Sequence, residues 1–137
     1  MSADKYDRRW TWGLSLLGLG TLLNALWMLV DPAGWYSGLP AAVPDTGPFN
    51  QHFVRDIGSA FFTMSVASFW AAWRPALRAP MLTIVTLFNG LHALVHVADT
   101  IADRLPVSHW LIDFPGVYAP VILLLVLTAR AWQRGDA

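Results

Sequence analysis

Four histidines and nine acidic residues, all of them aspartate, carry most of the chemistry open to this 137-residue chain, which has no cysteine. His92 and His96 stand four residues apart, a spacing that stacks two imidazoles on one helical face. Asn89, Asp99 and Asp103 fall on the same stripe. At about 100° per residue the five positions project within a wedge of about 80°. His52 and Asp56 repeat the i, i+4 spacing, with Ser59 and Thr63 on their face. His109 and Asp113 repeat it once more. Two imidazoles one turn apart form a bidentate clip for a divalent metal, and a carboxylate from a facing helix completes such a site. With nitrogen and oxygen donors but no thiolate, zinc, iron or manganese is favoured over copper(I).

The expected ligand set is therefore His52, Asp56, His92, His96 and Asp99. Asn89, Asp103, Arg55, His109 and Asp113 stand around it as supporting or relay groups. A closed four-ligand site would be structural, whereas an open position would let a metal-bound water act as nucleophile or oxidant centre. No catalytic residue is singled out. A b-type haem between His52 and His96 is the rival cofactor, although the neighbouring aspartates have no use as haem ligands. A metal-free proton relay through His96 and Asp99 is a further alternative. The plainest one is a hydrogen-bonded network that only ties helix ends together. Ionisable residues inside a membrane are costly and point by default to function.

The elements that must position these groups are legible as charge-free stretches. Residues 11–30, 57–73, 79–98 and 114–129 contain no Asp, Lys or Arg. A membrane-spanning helix needs about 20 mostly apolar residues, and in lipid the backbone must satisfy its own hydrogen bonds, so such runs read as helices. The expectation is an all-α, antiparallel four-helix bundle integral to a membrane, a single domain with spans at about 11–30, 52–73, 80–102 and 112–132. The composition agrees: 55% hydrophobic, 13% charged and a formal net charge of zero. The balanced charge argues against a nucleic-acid binder. The eight tryptophans fall near the proposed helix ends, as in an aromatic belt at the bilayer surface.

Sidedness follows from the basic residues. Lys5, Arg8, Arg9, Arg74, Arg78, Arg130 and Arg134 fall on one side, Arg55 and Arg104 on the other. By the positive-inside rule both termini are cytoplasmic. All four histidines and six of the aspartates then lie toward the outer face, leaving Asp4, Asp7 and Asp136 inside. With a rise of about 1.5 Å per residue, Asp56 lies about 26 Å up its helix, level with His96 and Asp99 at about 24 and 28 Å on theirs. That match in height motivates the metal site.

The Gly-rich first span leading into Leu29-Val30-Asp31-Pro32-Ala33-Gly34-Trp35, followed by three more spans, resembles the small DoxX-like four-helix membrane proteins of bacteria. The resemblance implies a four-span layout in the bacterial inner (plasma) membrane and carries no activity or site residue with it. The function expected is a membrane metalloprotein, an oxidoreductase or hydrolase on a small or lipophilic substrate entering from the outer face. The alternative is a non-catalytic accessory subunit. The lipid bilayer is the first partner, with a homo-oligomer or a larger membrane complex beyond it.

Overall fold

The computed structural model describes residues 3–134. It is 85% helical, with no strand among the described residues. The side chains of Asp4 and Lys5, and all of Asp136, lie outside what is described. Helix α1 spans Ala3–Val30 and stops where Asp31 and Pro32 follow, because proline has no N–H to continue the ladder. Asp31 then opens the short α2, Pro32–Gly38, by accepting from the Gly34 amide at 3.0 Å, and Pro32 sits where a missing N–H costs nothing. Ala42, in the left-handed region at φ +48°, turns the chain into a 3-10 turn at Val43–Thr46.

Helix α3, Gln51–Trp73, is capped by the Asn50 side chain, which accepts from the Phe53 amide at 3.1 Å. It ends before Pro75, which disfavours helical geometry in the residue ahead of it. A 3-10 turn at Pro75–Leu77 leads into α4, Arg78–Ile101. After a connection come α5, His109–Ile112, a π-helical turn at Phe114–Tyr118, and α6, Ala119–Gln133.

The four long segments lie side by side, α1 on α3, α3 on α4 and α4 on α6, each antiparallel to the next. The Thr11 hydroxyl donates to the Ala72 carbonyl at 3.2 Å, and farther along Gly58 lies against Met28 and Leu29. On the other pair Thr86 meets Thr128 at 2.7 Å, and the Trp132 indole donates to Thr83 at 3.0 Å. Both described termini therefore lie at one end, and the 31–50 and 102–113 connections at the other. The core, built from residues such as Leu14, Met64, Ala71, Leu82 and Leu124, is packed toward the termini end.

Three helices are long and apolar enough to cross a membrane: Asp7–Val30, Pro75–Ile101 and Phe114–Gln133. Their outer surfaces carry exposed Leu16, Leu23, Leu87, Leu91, Leu94 and Ile122, an apolar coat of the kind that lipid covers. Helix α3 matches them in length, but His52, Arg55 and Asp56 occupy its first turns. The fourth long segment opens with the π turn, where Pro115 lacks a donor, and continues as α6. One local detail departs from the sequence reading. Trp10 is no interfacial residue: it is buried, with the Arg78 guanidinium 5.2 Å from its ring centroid.

Candidate functional site, a buried histidine–aspartate network at the loop end

The π turn decides what Asp113 can do. Its carbonyl accepts from the amides of Val117 at 2.7 Å and Tyr118 at 3.3 Å, and its side chain makes no helix cap. The carboxylate is left for imidazoles. Oδ2 lies 2.8 Å from His96 Nδ1, and both oxygens lie 3.2–3.3 Å from His109 Nδ1. Position at the start of the helical segment adds favourable interaction with the helix dipole.

His109 is delivered by the turn that precedes it, where its amide donates to the Pro106 carbonyl at 2.9 Å. Its side chain is fully buried, and that of Asp113 is 2% exposed. The other ring nitrogen, Nε2, lies 3.2 Å from Asp45 Oδ2. Asp45 belongs to the 3-10 turn of the long 31–50 connection and is 44% exposed. That connection is anchored independently: the Trp35 indole donates to Asn24 at 2.9 Å, and the Tyr36 hydroxyl to the Gly47 carbonyl at 2.7 Å. The result is a continuous path, Asp45–His109–Asp113–His96, from the solvent-facing loop to the side of α4. His92 continues it inward, its ring 4.7 Å from that of His96 and packed against Phe61 and Phe88.

Counting protons along this path is informative. Each carboxylate–imidazole contact needs one hydrogen between its heavy atoms. Three such contacts link the four groups. Two neutral imidazoles bring one ring N–H each. For all three contacts to be hydrogen bonds at once, the set needs a third proton.

The proposed metal ligands are not gathered in one place. His52 and Asp56 bond each other at 3.3 Å on an exposed face, 89% and 61% accessible. The reason is azimuth. Val54, Gly58 and Ser65 form the buried face of α3, and a position two residues away lies about 200° around the helix. His96 bonds Asp113. Asp99 accepts from Arg104 at 3.0 Å and its carbonyl takes the Arg104 and Leu105 amides, closing the end of α4. Asp103 takes the left-handed conformation there, at φ +54°. Asn89 donates to the Val85 carbonyl of its own helix, and Arg55 to the Leu29 carbonyl of α1. Among the described residues no group of three or more His or Asp side chains is arranged to hold a metal ion.

His109 and Asp113, given a supporting place by the sequence reading, are thus the centre, and Asp45 is the residue it missed. Nothing in the local pattern around Asp45 marks it, since its partner is 64 positions away. The Tyr118 hydroxyl, also overlooked, is buried at the edge of this region, beside the Thr100 side chain. No family model matches the chain, and comparison with curated proteins and with solved structures finds no match either. The site is therefore read from its own geometry.

Proposed function

We propose that this chain is a small four-span membrane protein that takes up a proton at its outer face and carries it into the bundle along Asp45, His109, Asp113 and His96, with His92 as the inner end. The single observation that carries the reading is the buried His109 imidazole held between two carboxylates, a contact pattern that needs one proton more than neutral histidines supply. Histidine is the side chain suited to exchange it near neutral pH. In this reading α3 crosses the bilayer beside α1 with its polar first turns at the outer surface, and both termini are cytoplasmic, as the distribution of basic residues suggests. A metal bound by His52, Asp56, His92, His96 and Asp99 draws no support from the arrangement of those side chains.

Nitrogen-15 NMR of histidine-labelled protein in lipid tests the relay. The His96 ring proton is expected to exchange with water more slowly in Asp45→Ala than in wild type. Equal His96 exchange in the two proteins would show that the path does not run through Asp45, and the proposal would fall. Element analysis of the same sample, purified without a histidine tag, decides for or against the metal: a stoichiometric ion lost in His96→Ala would put the metalloprotein first.

A further inference from the structure

The outward face of α3 differs from those of the other long helices. Along α1, α4 and α6 the exposed positions inside the spans are chiefly leucine, isoleucine and valine, as at Leu16, Leu23, Leu87, Leu91 and Ile122. Helix α3 instead exposes His52, Asp56, Ser59 and Thr63, followed by Val66 and Trp70. The polar half of this face sets α3 apart from the three helices whose composition suits lipid. Successive members of the set stand 4, 3, 4, 3 and 4 residues apart. That is the spacing of a seam along which one helix packs against another. Among the described residues nothing covers it, because α1 and α4 pack on α3 from the side of Val54, Gly58, Met64, Ser65 and Ser68.

Lipid is a poor cover for this face. His52 and Asp56 bond each other at 3.3 Å. The Ser59 hydroxyl donates to the Arg55 carbonyl and that of Thr63 to the Ser59 carbonyl, each at 3.0 Å. Thr63 lies about 16 Å along the axis from His52, well into the apolar layer. In membranes small and hydroxyl-bearing residues gather where two helices approach closely, and ionisable groups face protein rather than lipid. Two copies inserted the same way round present the seam to each other in parallel. A two-fold axis along the membrane normal then sets their His52–Asp56 pairs side by side. Each carboxylate meets the second copy's imidazole as well as its own, so the patch complements itself in charge. We propose that this face of α3 is the interface of a parallel homodimer. Ser59, Thr63 and Val66 make the close contact, and the His52–Asp56 pairs fix the register at the outer rim. The proposal rests on α3 crossing the bilayer beside α1, as in the reading above, and not on the relay.

The chain has no cysteine of its own, so single-cysteine variants in phospholipid vesicles test this. Disulfides form only where two Cα atoms come within about 7 Å. Under mild oxidation V66C and T63C should give crosslinked dimers at several times the yield of L87C and L91C, which lie on the exposed face of α4. The excess should persist as the vesicles are diluted with lipid. Leucines at positions 59 and 63 suit lipid but hold two helices apart, so S59L/T63L should bring V66C crosslinking down to the L87C level. Equal yields for V66C and L87C would overturn the proposal, as would undiminished V66C crosslinking in the S59L/T63L background. Labelling of V66C by a membrane-impermeant maleimide would take α3 out of the bilayer and overturn it too. The comparison of V66C with L87C stands even if the leucine variant does not fold. Failure of the relay, read from His96 exchange, leaves the crosslinking pattern unchanged.

Discussion

The two ends of this bundle each bury an ionic group, and they do it differently. At the termini end a guanidinium is buried and its carboxylate partner is not: Arg78 is 2% exposed, Asp7 53%. The cation is also satisfied by a carbonyl at a helix end and lies over the Trp10 ring. Arginine stays protonated at any accessible pH, so this is a fixed fastening between α1, α3 and α4. At the loop end the buried groups are His109 and Asp113, an imidazole and a carboxylate. They tie α4, α5 and the 31–50 connection through contacts to His96, to each other and to Asp45. The difference lies in the choice of side chain. A guanidinium gives a joint of fixed charge, and an imidazole–carboxylate network is the kind of joint the proposed relay needs.

The sharpest way to break the contrast is Asp113→Ala. It strips both His96 and His109 of their shared acceptor in a buried setting, where removing one partner of an ionic pair costs about 3–5 kcal/mol. Unfolding measured by tryptophan fluorescence in mild denaturing detergent should show a loss of that order. A loss below about 1 kcal/mol would mean the network contributes little to holding the loops.

Arg78→Gln should cost less, about 1–3 kcal/mol, because the orphaned Asp7 can turn to water. The same unfolding assay checks it. A cost exceeding that of Asp113→Ala would reverse the ranking of the two ends.

Gly58→Ala probes what holds the ends in register. A Cβ there would meet Met28 Cβ at 2.9 Å and Leu29 Cγ at 3.3 Å. The helices would have to shift, at about 1–3 kcal/mol for overpacking, and the Arg55 bond to the Leu29 carbonyl would be disturbed with them. Gly90 is the control, since a Cβ there meets nothing within 4 Å. Gly90→Ala should be neutral or stabilising by up to about 1 kcal/mol through helix propensity. Equal melting temperatures for the two variants would contradict the close α1–α3 approach.

His52→Ala should do least. An exposed pair contributes at most about 1 kcal/mol, so melting should move little and proton exchange at His96 should match wild type. A large change in either would tie the exposed pair to the buried network.

The long helices were readable one segment at a time, because lipid-compatible length and the absence of charge are properties of consecutive residues. The difference in charge between their two ends was readable for the same reason. The polar stripe along α4 was legible too, since helical periodicity alone puts His92 and His96 on one face. That reasoning reached the height of each polar group above the termini end and no further. His52 and Asp56 do lie toward the loop end, yet they face outward because Gly58 and Val54 turn the opposite side of α3 toward the core. Trp10 was misplaced by the same limit: depth along the axis suggested an interface, and rotation put the ring under Arg78.

What the sequence by itself determined is the set of apolar helices, the charge difference between their two ends, and the concentration of imidazole and carboxylate at one of them. Only the tertiary structure decided which of those groups meet. Asp45 reaches His109 through a loop with no period, and Asp113 reaches His96 because two prolines widen the chain into a π turn that leaves its carboxylate unused as a cap. Periodicity follows from local backbone geometry and is written in neighbouring residues. Contacts between distant segments depend on helix rotation and loop path, which are set by packing.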